Sequence, residues 1–372
     1  MSNPLAVTVF AASPGTDGSR VFERVLGRTD GLRLTAIVPK RGRKRKKTSY
    51  EASVLPTTER LVKLGQGCAC CTVRGDLMTK IRRIAEERTA DHVVIQTGPG
   101  SDLSTLAKTF TVADGSGSML SEVAQFQSLV TVIDARSFSS TLQSNSARQL
   151  VERIELANVI VLEGTADLTS DDKERVRCAV EALNSDVEIT ESDDDDFSLS
   201  SLQAKEPFDL NAAQRRSMRY APESDADSTS SVVRFDYQER RPFHPDRLHS
   251  FLAEDWPGLL RVNGSFWIAS RPDLAGSIDV AGASRTASFN GMWWSSVPSD
   301  QRPDSPEFLK YMKEIWHADF GDRHHDLAIV GLGLDEEELR ARLDQCLLTD
   351  EELSEPNSWP TMRDPFPSSQ TR

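Results

Sequence analysis

Long apolar runs are missing from this 372-residue sequence. None approaches the roughly 18 residues that a membrane helix needs, which argues against a membrane protein. The first residues, MSNPLAVTVFAAS, also lack the basic region that precedes the apolar core of a signal peptide. We therefore interpret this apolar stretch as a first β-strand and expect a cytoplasmic protein.

Cysteine is scarce and unevenly placed. Three of the five cysteines, Cys68, Cys70 and Cys71, fall within four residues, whereas Cys178 and Cys346 stand alone in helical patterns. An odd number of thiols with three crowded together is a poor disulfide framework. In a reducing compartment such a cluster more often binds metal or carries redox chemistry.

Positive charge is in deficit overall, with 44 Lys and Arg against 57 Asp and Glu and a net charge of −13. The deficit is not uniform along the chain. By count, residues 1–183 carry a net +4, residues 184–231 a net −8 and residues 232–372 a net −9. An acidic total therefore does not exclude a polyanionic partner for the N-terminal half.

Short apolar runs alternate with amphipathic stretches over residues 1–183, which predicts an α/β domain with a mostly parallel sheet flanked by helices. The strand candidates are Leu5–Ala11, Leu32–Val38, His92–Gln96, Leu129–Asp134 and Val159–Leu162. Residues 184–231, which include ESDDDD, have the composition of an acidic disordered linker. Residues 232–353 predict a smaller α+β domain, and residues 354–372 a Pro- and Ser-rich tail.

The segment Gly67–Arg74, GCACCTVR, is the strongest chemical signal. Three thiols on one short loop can place three soft ligands around Zn²⁺ or Cu(I). Arg74 and the helix start predicted at Thr72 would both favour the thiolate form. The fourth ligand stays open between water, a carboxylate, a histidine and a partner's residue. The alternative is three incidental cysteines near a helix start.

GCACCTVRGDL resembles the GCxCCTxRxDL loop of the CobW-like zinc-metallochaperone GTPases. VTVIDA at Val130–Ala135 resembles a core strand of that family, and RRPFHPDRL and FGDRHHDLAIVGLGLDEEELRARLDQC resemble its C-terminal domain. The resemblance implies a P-loop-NTPase-like domain, Zn²⁺ on Cys68, Cys70 and Cys71, and metal transfer coupled to GTP. The layout, including the terminal WPTMRDPF, is similar to an actinobacterial branch with a degenerate P-loop, which includes a mycobacterial recruiter of the ribosome-hibernation factor.

The nucleotide motifs depart from the family pattern. A P-loop needs a lysine for the β/γ-phosphates and a Ser or Thr for Mg²⁺. Here Gly18 is kept, but Ser19 stands in the lysine position and Arg20 in the hydroxyl position. The guanine-reading Asn-Lys-x-Asp is replaced by Glu163–Asp167, EGTAD. We expect a vestigial nucleotide loop, GTP as an improbable cofactor, and a pseudo-GTPase rather than a GTP hydrolase.

A basic run follows the second predicted strand, where the family has an acidic switch segment that can lend a carboxylate to the metal. Glu51 and Glu59 are the nearest substitutes. One interpretation is a solvated loop neutralised by Asp193–Asp196; the other is a patch that contacts RNA phosphates, without aromatic residues to stack on bases. The basic residues are Lys40, Arg41, Arg43, Lys44, Arg45, Lys46 and Lys47.

The resulting prediction is a zinc-binding, metal-responsive adaptor in zinc homeostasis. Its partner would be a protein, either a zinc client or a ribosome-associated factor, with contact to ribosomal RNA through the basic run. Two alternatives stay open. One is an active GTP-dependent zinc metallochaperone that delivers zinc to client proteins; the other is an RNA-binding protein whose cysteines are structural.

Overall fold

The computed structural model describes residues 4–40, 49–51, 72–98, 100–111, 113, 117–218 and 231–367. The chain divides into two compact units. The N-terminal unit comprises Met1–Thr141 and Gln149–Ser217, and the C-terminal unit comprises Leu142–Arg148 and Met218–Arg372. Within the described ranges, no helix has the length and apolarity that crossing a bilayer requires.

A seven-stranded sheet forms the centre of the N-terminal unit, in the order β3-β2-β4-β1-β5-β6-β7. Six strands are parallel, and the short β3 pairs antiparallel with β2. The predicted parallel α/β fold is therefore confirmed. The strands are β1 (Leu5–Ala12), β2 (Leu34–Lys40), β3 (Ser49–Glu51), β4 (His92–Gln96), β5 (Ala124–Asp134), β6 (Val159–Glu163) and β7 (Glu188–Glu191).

Helices cover the sheet because its strands are apolar on both faces. Along β1, Val7 and Val9 belong to one apolar cluster, whereas Phe10 belongs to a second. The first cluster includes Leu77 of α2, and the second includes Phe22 of α1. The helices are α1 (Ser19–Gly27), α2 (Thr72–Glu87), α3 (Leu103–Thr111), α4 (Phe138–Leu142), α5 (Ala147–Leu156), α6 (Ser170–Leu183) and α7 (Leu210–Met218).

The prediction of a disordered linker at 184–231 is wrong for residues 184–218. This segment contains β7 and α7, and Phe197, Leu199 and Leu202 are buried in the core. Its acidic side chains, Asp193–Asp196, are exposed. The average polarity of the segment hid the few apolar residues whose burial orders it. Residues 219–230 lie outside the described residues.

Arg24 of α1 and Arg28, the residue that follows this helix, also hold this segment. The guanidinium of Arg24 donates hydrogen bonds to the carbonyl oxygens of Ser192 and Asp194, and that of Arg28 donates to the carbonyl of Asp195. The backbone of an acidic loop thus finds charged donors without any of its carboxylates being buried. Hydrogen bonds from charged donors are stronger than neutral ones, which explains the order of a segment so rich in aspartate.

An antiparallel sheet in the order β11-β10-β9-β12-β8 forms the C-terminal unit. Its apolar core includes Phe266, Ile329 and Leu343. The strands are β8 (Val232–Glu239), β9 (Leu259–Phe266), β10 (Leu274–Ala281), β11 (Ser284–Met292) and β12 (His325–Leu332). The helices are α8 (Pro245–Ala253), α9 (Pro306–Ile315), α10 (Glu336–Cys346) and α11 (Asp350–Leu353).

The segment predicted as a free tail packs onto this unit as far as residue 367. Phe366 is 7% exposed and belongs to the apolar core. Asp364 accepts hydrogen bonds from Ser270 Oγ and from Arg271 Nε, each at 2.7 Å. The Pro-rich composition is typical of a free tail, but one buried aromatic ring and one largely buried ion pair fix the segment.

Candidate functional site

The turn between β1 and α1 has the position of a phosphate-binding loop. Thr16 N donates to Ser13 O at 3.0 Å, and the Ser13 and Thr16 hydroxyls are 2.8 Å apart. Gly18 precedes α1 with a φ of 62°, and a Cβ there would lie 2.9 Å from Ala12 Cβ. Only glycine fits this position without strain, so the backbone of the loop keeps its shape.

The side chains of this turn bond to one another. Ser19 Oγ donates to Asp17 Oδ1 at 2.8 Å, which places a carboxylate beside the first turn of α1. That carboxylate would repel a phosphate, and a serine hydroxyl in the lysine position supplies no positive charge. Arg20, in the position of the metal-binding hydroxyl, is exposed.

A second cluster lies where β5 and β6 end. Arg136 Nε donates to Asp134 Oδ1 at 2.9 Å, and Arg136 Nη1 donates to Asp167 Oδ2 at 3.2 Å. The guanidinium lies against Gly164, where a Cβ would be 2.7 Å from Arg136 Nε. One arginine thus ties the end of β5 to the EGTAD segment that replaces the guanine-reading motif.

The loop after β7 joins the same cluster. Asp193 Oδ2 accepts a hydrogen bond from Ala166 N at 3.1 Å and lies 3.3 Å from Thr165 Oγ1, which also donates to Glu191. Burial raises the pKa of Glu163, and the nearby Arg20 charge opposes that rise. The carboxyl ends of three neighbouring parallel strands are therefore cross-linked by the chain's own polar side chains, at the edge where ligands bind in such folds.

Of the predicted site residues, the structure places Gly18, Ser19 and Arg20, all at the β1–α1 turn. Cys68, Cys70, Cys71 and Arg41–Lys47 lie outside the described residues, as do the side chains of Lys40 and Glu51. The helix predicted to begin at Thr72 does so. In the ranges that are described, no group of three or more His, Cys, Asp or Glu side chains could hold a metal.

Sequence reasoning missed Arg136 as a member of the site. The residue follows the VTVIDA strand directly, and the neighbouring EGTAD segment was already recognised as atypical. Because β5 and β6 are adjacent and parallel, residues just beyond their ends are close in space. That adjacency is a property of the folded sheet, so the sequence alone did not identify Arg136.

Two family models match the chain. Residues 6–191 match the CobW/HypB/UreG nucleotide-binding domain, and residues 232–347 match the cobalamin synthesis protein CobW C-terminal domain. The chain belongs to the CobW family. The CobW resemblance predicted from the cysteine loop and the C-terminal motifs is thus confirmed.

Relatives of this CobW protein include two that carry zinc in their names. The zinc-regulated GTPase metalloprotein activator 1 of Dictyostelium discoideum is 26% identical over 97% of the chain and 84% of its own length. The zinc chaperone Rv0106 of Mycobacterium tuberculosis is 26% identical over 84% of the chain and 80% of its own length. A crystal structure of Zn(II)-bound YjiA GTPase from E. coli is 15% identical, with a TM-score of 0.42 over 93% of the chain.

Proposed function

We propose that this CobW protein is a zinc-binding adaptor of the zinc-starvation response that lacks a competent GTP site. The observation that carries the proposal is the Ser19–Asp17 hydrogen bond at the β1–α1 turn. It holds a carboxylate against the side chain that stands in the lysine position, and the loop sequence contains no lysine. Phosphoryl transfer depends almost entirely on such cationic positioning.

The cluster at the ends of β5, β6 and β7 supports the same conclusion. Arg136, Asp134 and Asp193 bond the EGTAD segment and its neighbours to one another. A guanine base would have to displace these bonds and would find neither the Asn nor the Lys of the usual motif. Any nucleotide would therefore lose charge-assisted hydrogen bonds within the protein before gaining its own.

Zinc on the loop at Cys68, Cys70 and Cys71 is the second part of the proposal. Three thiols suit Zn²⁺, and two relatives of similar length are named for zinc. Binding a cation with three thiolates fixes a loop and contributes folding free energy without any nucleotide. Zinc occupancy would then control docking to a cytoplasmic protein partner, either a zinc client or a factor that recruits a hibernation factor to the ribosome.

An active GTP-dependent zinc metallochaperone is the second candidate. It is favoured by the Dictyostelium discoideum relative, whose name includes GTPase and whose match extends over 97% of this chain. Gly18 also keeps a left-handed backbone conformation before α1, so the backbone of this turn is preserved where its side chains depart from the family pattern. Nucleotide binding separates the two candidates directly.

Isothermal titration of the zinc-loaded protein with GTP and Mg²⁺ is expected to give no binding heat at micromolar concentrations. The reason is the missing lysine together with the carboxylate of Asp17. A Ser19→Lys, Arg20→Thr, Asp17→Ala variant restores the charge pattern and serves as the positive control for the titration. Micromolar affinity in the wild type, or GTP turnover stimulated by zinc, would establish the metallochaperone instead.

Ribosome association tests the adaptor function. We expect ribosomes to co-purify with the protein from zinc-starved cells and to be released as salt rises, because phosphate contacts depend steeply on ionic strength. Neutralising Lys44, Arg45, Lys46 and Lys47 together should weaken this association at least tenfold. A matched control neutralises Lys310 and Lys313, two exposed lysines of α9.

Two other outcomes of the ribosome experiment would each contradict one part of the proposal. Absence of ribosomes under both zinc conditions removes the ribosomal partner. If Cys70→Ser leaves the association independent of zinc while the neutralised run abolishes it, the protein is an RNA binder with structural cysteines.

A further inference from the structure

The terminal segment, residues 364–367, occupies a pocket on the C-terminal unit. Among residues 354–367, all of which are described, Phe366 is the only buried one. Its ring centroid lies 5.8 Å from that of Phe289, 6.2 Å from that of Phe266 and 5.5 Å from that of His249 on α8. A single aromatic ring therefore anchors the end of the described chain.

The floor of this pocket is a property of the sheet. Gly276 of β10 lies directly opposite Phe266 of β9 on one side and Phe289 of β11 on the other. A Cβ at Gly276 would lie 2.5 Å from Phe266 Cε1. Because no side chain stands between the two rings, they meet with their centroids 5.3 Å apart. The sheet thus supplies an aromatic surface that does not depend on the terminal segment.

Arg271, at the rim of the pocket, is also held by residues other than the terminal segment. Its guanidinium lies over the Phe289 ring, 4.6 Å from the centroid. The turn after β9 fixes its backbone, since Arg271 N donates to Ile268 O at 3.2 Å and Leu274 N donates to Arg271 O at 3.1 Å. The positive charge is therefore in place before any ligand arrives, which lowers the entropic cost of binding.

The hydrogen-bond donors of this guanidinium are used for the terminal segment. Within the described ranges, Nε donates to Asp364 Oδ2 at 2.7 Å, Nη2 to Phe366 O at 2.7 Å and Nη1 to Pro367 O at 2.8 Å. Ser270 Oγ adds a further bond to Asp364 Oδ2 at 2.7 Å. Without the segment, a guanidinium that is 15% exposed would lose all three acceptors, which is costly for a largely buried charge. The pocket therefore favours a ligand with a carboxylate.

The segment carries its own conformation. Asp364 Oδ1 accepts a hydrogen bond from Phe366 N at 2.9 Å, which closes a local Asx turn, and Pro365 fixes the φ of the residue between them. The preceding Arg363 side chain is 80% exposed, and its ion pair with Asp246 at 3.4 Å contributes little. Recognition is thus concentrated on a carboxylate and on an aromatic ring two residues later.

We propose that this pocket is a recognition site for Asp-x-Phe peptide segments, and that residues 364–366 are its resident ligand. A partner protein with an exposed Asp-x-Phe segment would displace the chain's own segment and dock on the C-terminal unit. The chemistry selects this occupant, because a basic or purely apolar segment would leave the Arg271 guanidinium unpaired. The site lies within one unit and needs neither zinc nor nucleotide, so it is independent of the function proposed above.

A labelled peptide of residues 359–372 tests the proposal by fluorescence anisotropy. The full chain with Asp364→Ala and Phe366→Ala, in which the attached segment no longer competes, should bind the peptide saturably. The wild type should bind it at least about tenfold more weakly, because a ligand attached by a short linker competes at an effective concentration of about a millimolar. Adding Arg271→Ala to the double variant should abolish binding.

Peptide variants test the recognition chemistry. Asp364→Asn and Phe366→Ala in the peptide should each weaken binding to the double variant at least about tenfold, since they remove the charge-assisted bonds and the buried ring. Arg363→Ala in the peptide is the matched control and should change the affinity less than about twofold. Equal binding of all four peptides would contradict the proposed recognition.

Two further outcomes would overturn the proposal. A double variant that is folded by circular dichroism but binds no peptide would show that the segment is a fixed part of the fold. Equal affinity of the wild type and the double variant would place the peptide elsewhere. If the double variant does not fold, hydrogen exchange of the wild type decides. A millimolar ¹⁵N-labelled peptide should speed exchange at the Phe366 amide of the chain, and unchanged exchange would contradict displacement.

Discussion

Replacing Cys68, Cys70 and Cys71 together with alanine is expected to remove the bound zinc completely. The wild type should retain about one zinc per chain after excess metal is removed, because three thiolates supply most of a tetrahedral ligand set. Without them a single remaining ligand cannot hold the ion against buffer and water. Elemental analysis of the purified protein, together with protein quantification, measures the ratio.

Cys178→Ala and Cys346→Ala are the matched controls and should leave the ratio unchanged. The Cys346 thiol is buried and donates to Arg342 O at 3.3 Å, and burial raises its pKa to about 12. Burial also raises the pKa of Cys178, which donates to Glu174. Neither is a ready thiolate, and metal binding requires one. An unchanged zinc content in the triple variant would remove the metal assignment and, with it, the adaptor mechanism.

Local signals are sufficient for helices whose first turn carries its own cap. Helix α6 begins at Ser170, with Thr169 accepting a hydrogen bond from Asp172 N. Helix α10 begins after Asp335, which accepts from Glu338 N at 3.0 Å. In both cases the capping side chain lies within three residues of the group it satisfies, so the sequence contains both partners side by side.

Contacts between distant residues were not predictable in the same way. Arg24 is bonded to carbonyls 168 and 170 residues further along the chain, and those bonds order a segment whose composition indicated disorder. Arg136 reaches Asp167 across two neighbouring strands. Such pairs arise only once the sheet has brought strand ends together, and a single sequence gives no sign of which arginine will bond to which loop.

Two buried histidines predict a dependence of stability on pH that neither the family nor the motifs indicate. His325 is fully buried in the C-terminal unit, stacks on Phe243 at 3.8 Å between ring centroids, and lies with Nε2 2.8 Å from Arg241 O. His92 in the N-terminal unit is 1% exposed, with Nε2 2.9 Å from Thr8 Oγ1. Burial lowers the pKa of His325 to about 3 and that of His92 to about 4.

Acid should therefore destabilise both units well above the pH at which most carboxylates titrate. The unfolded histidines have a pKa of about 6.5, so the unfolded chain binds more protons than the folded one at any pH below that value. The stability that comes from keeping these histidines neutral is fully present above pH 6.5. It is lost as the pH falls towards their pKa values in the folded protein. By pH 4 each histidine should cost about 3 kcal/mol of unfolding free energy.

Urea unfolding of the full chain at pH 7.5, 6.0, 5.0 and 4.0 measures this loss. His325→Gln, which keeps an amide donor near Arg241 O, should be less stable than the wild type at pH 7.5 but should lose less stability on acidification. His92→Gln is the corresponding variant of the other unit, and His317→Gln, whose side chain is 42% exposed, is the matched control. A wild type whose stability does not change between pH 7.5 and pH 5.0 would contradict the prediction. So would glutamine variants with the same pH slope as the wild type, because the slope would then come from carboxylates and not from the buried imidazoles.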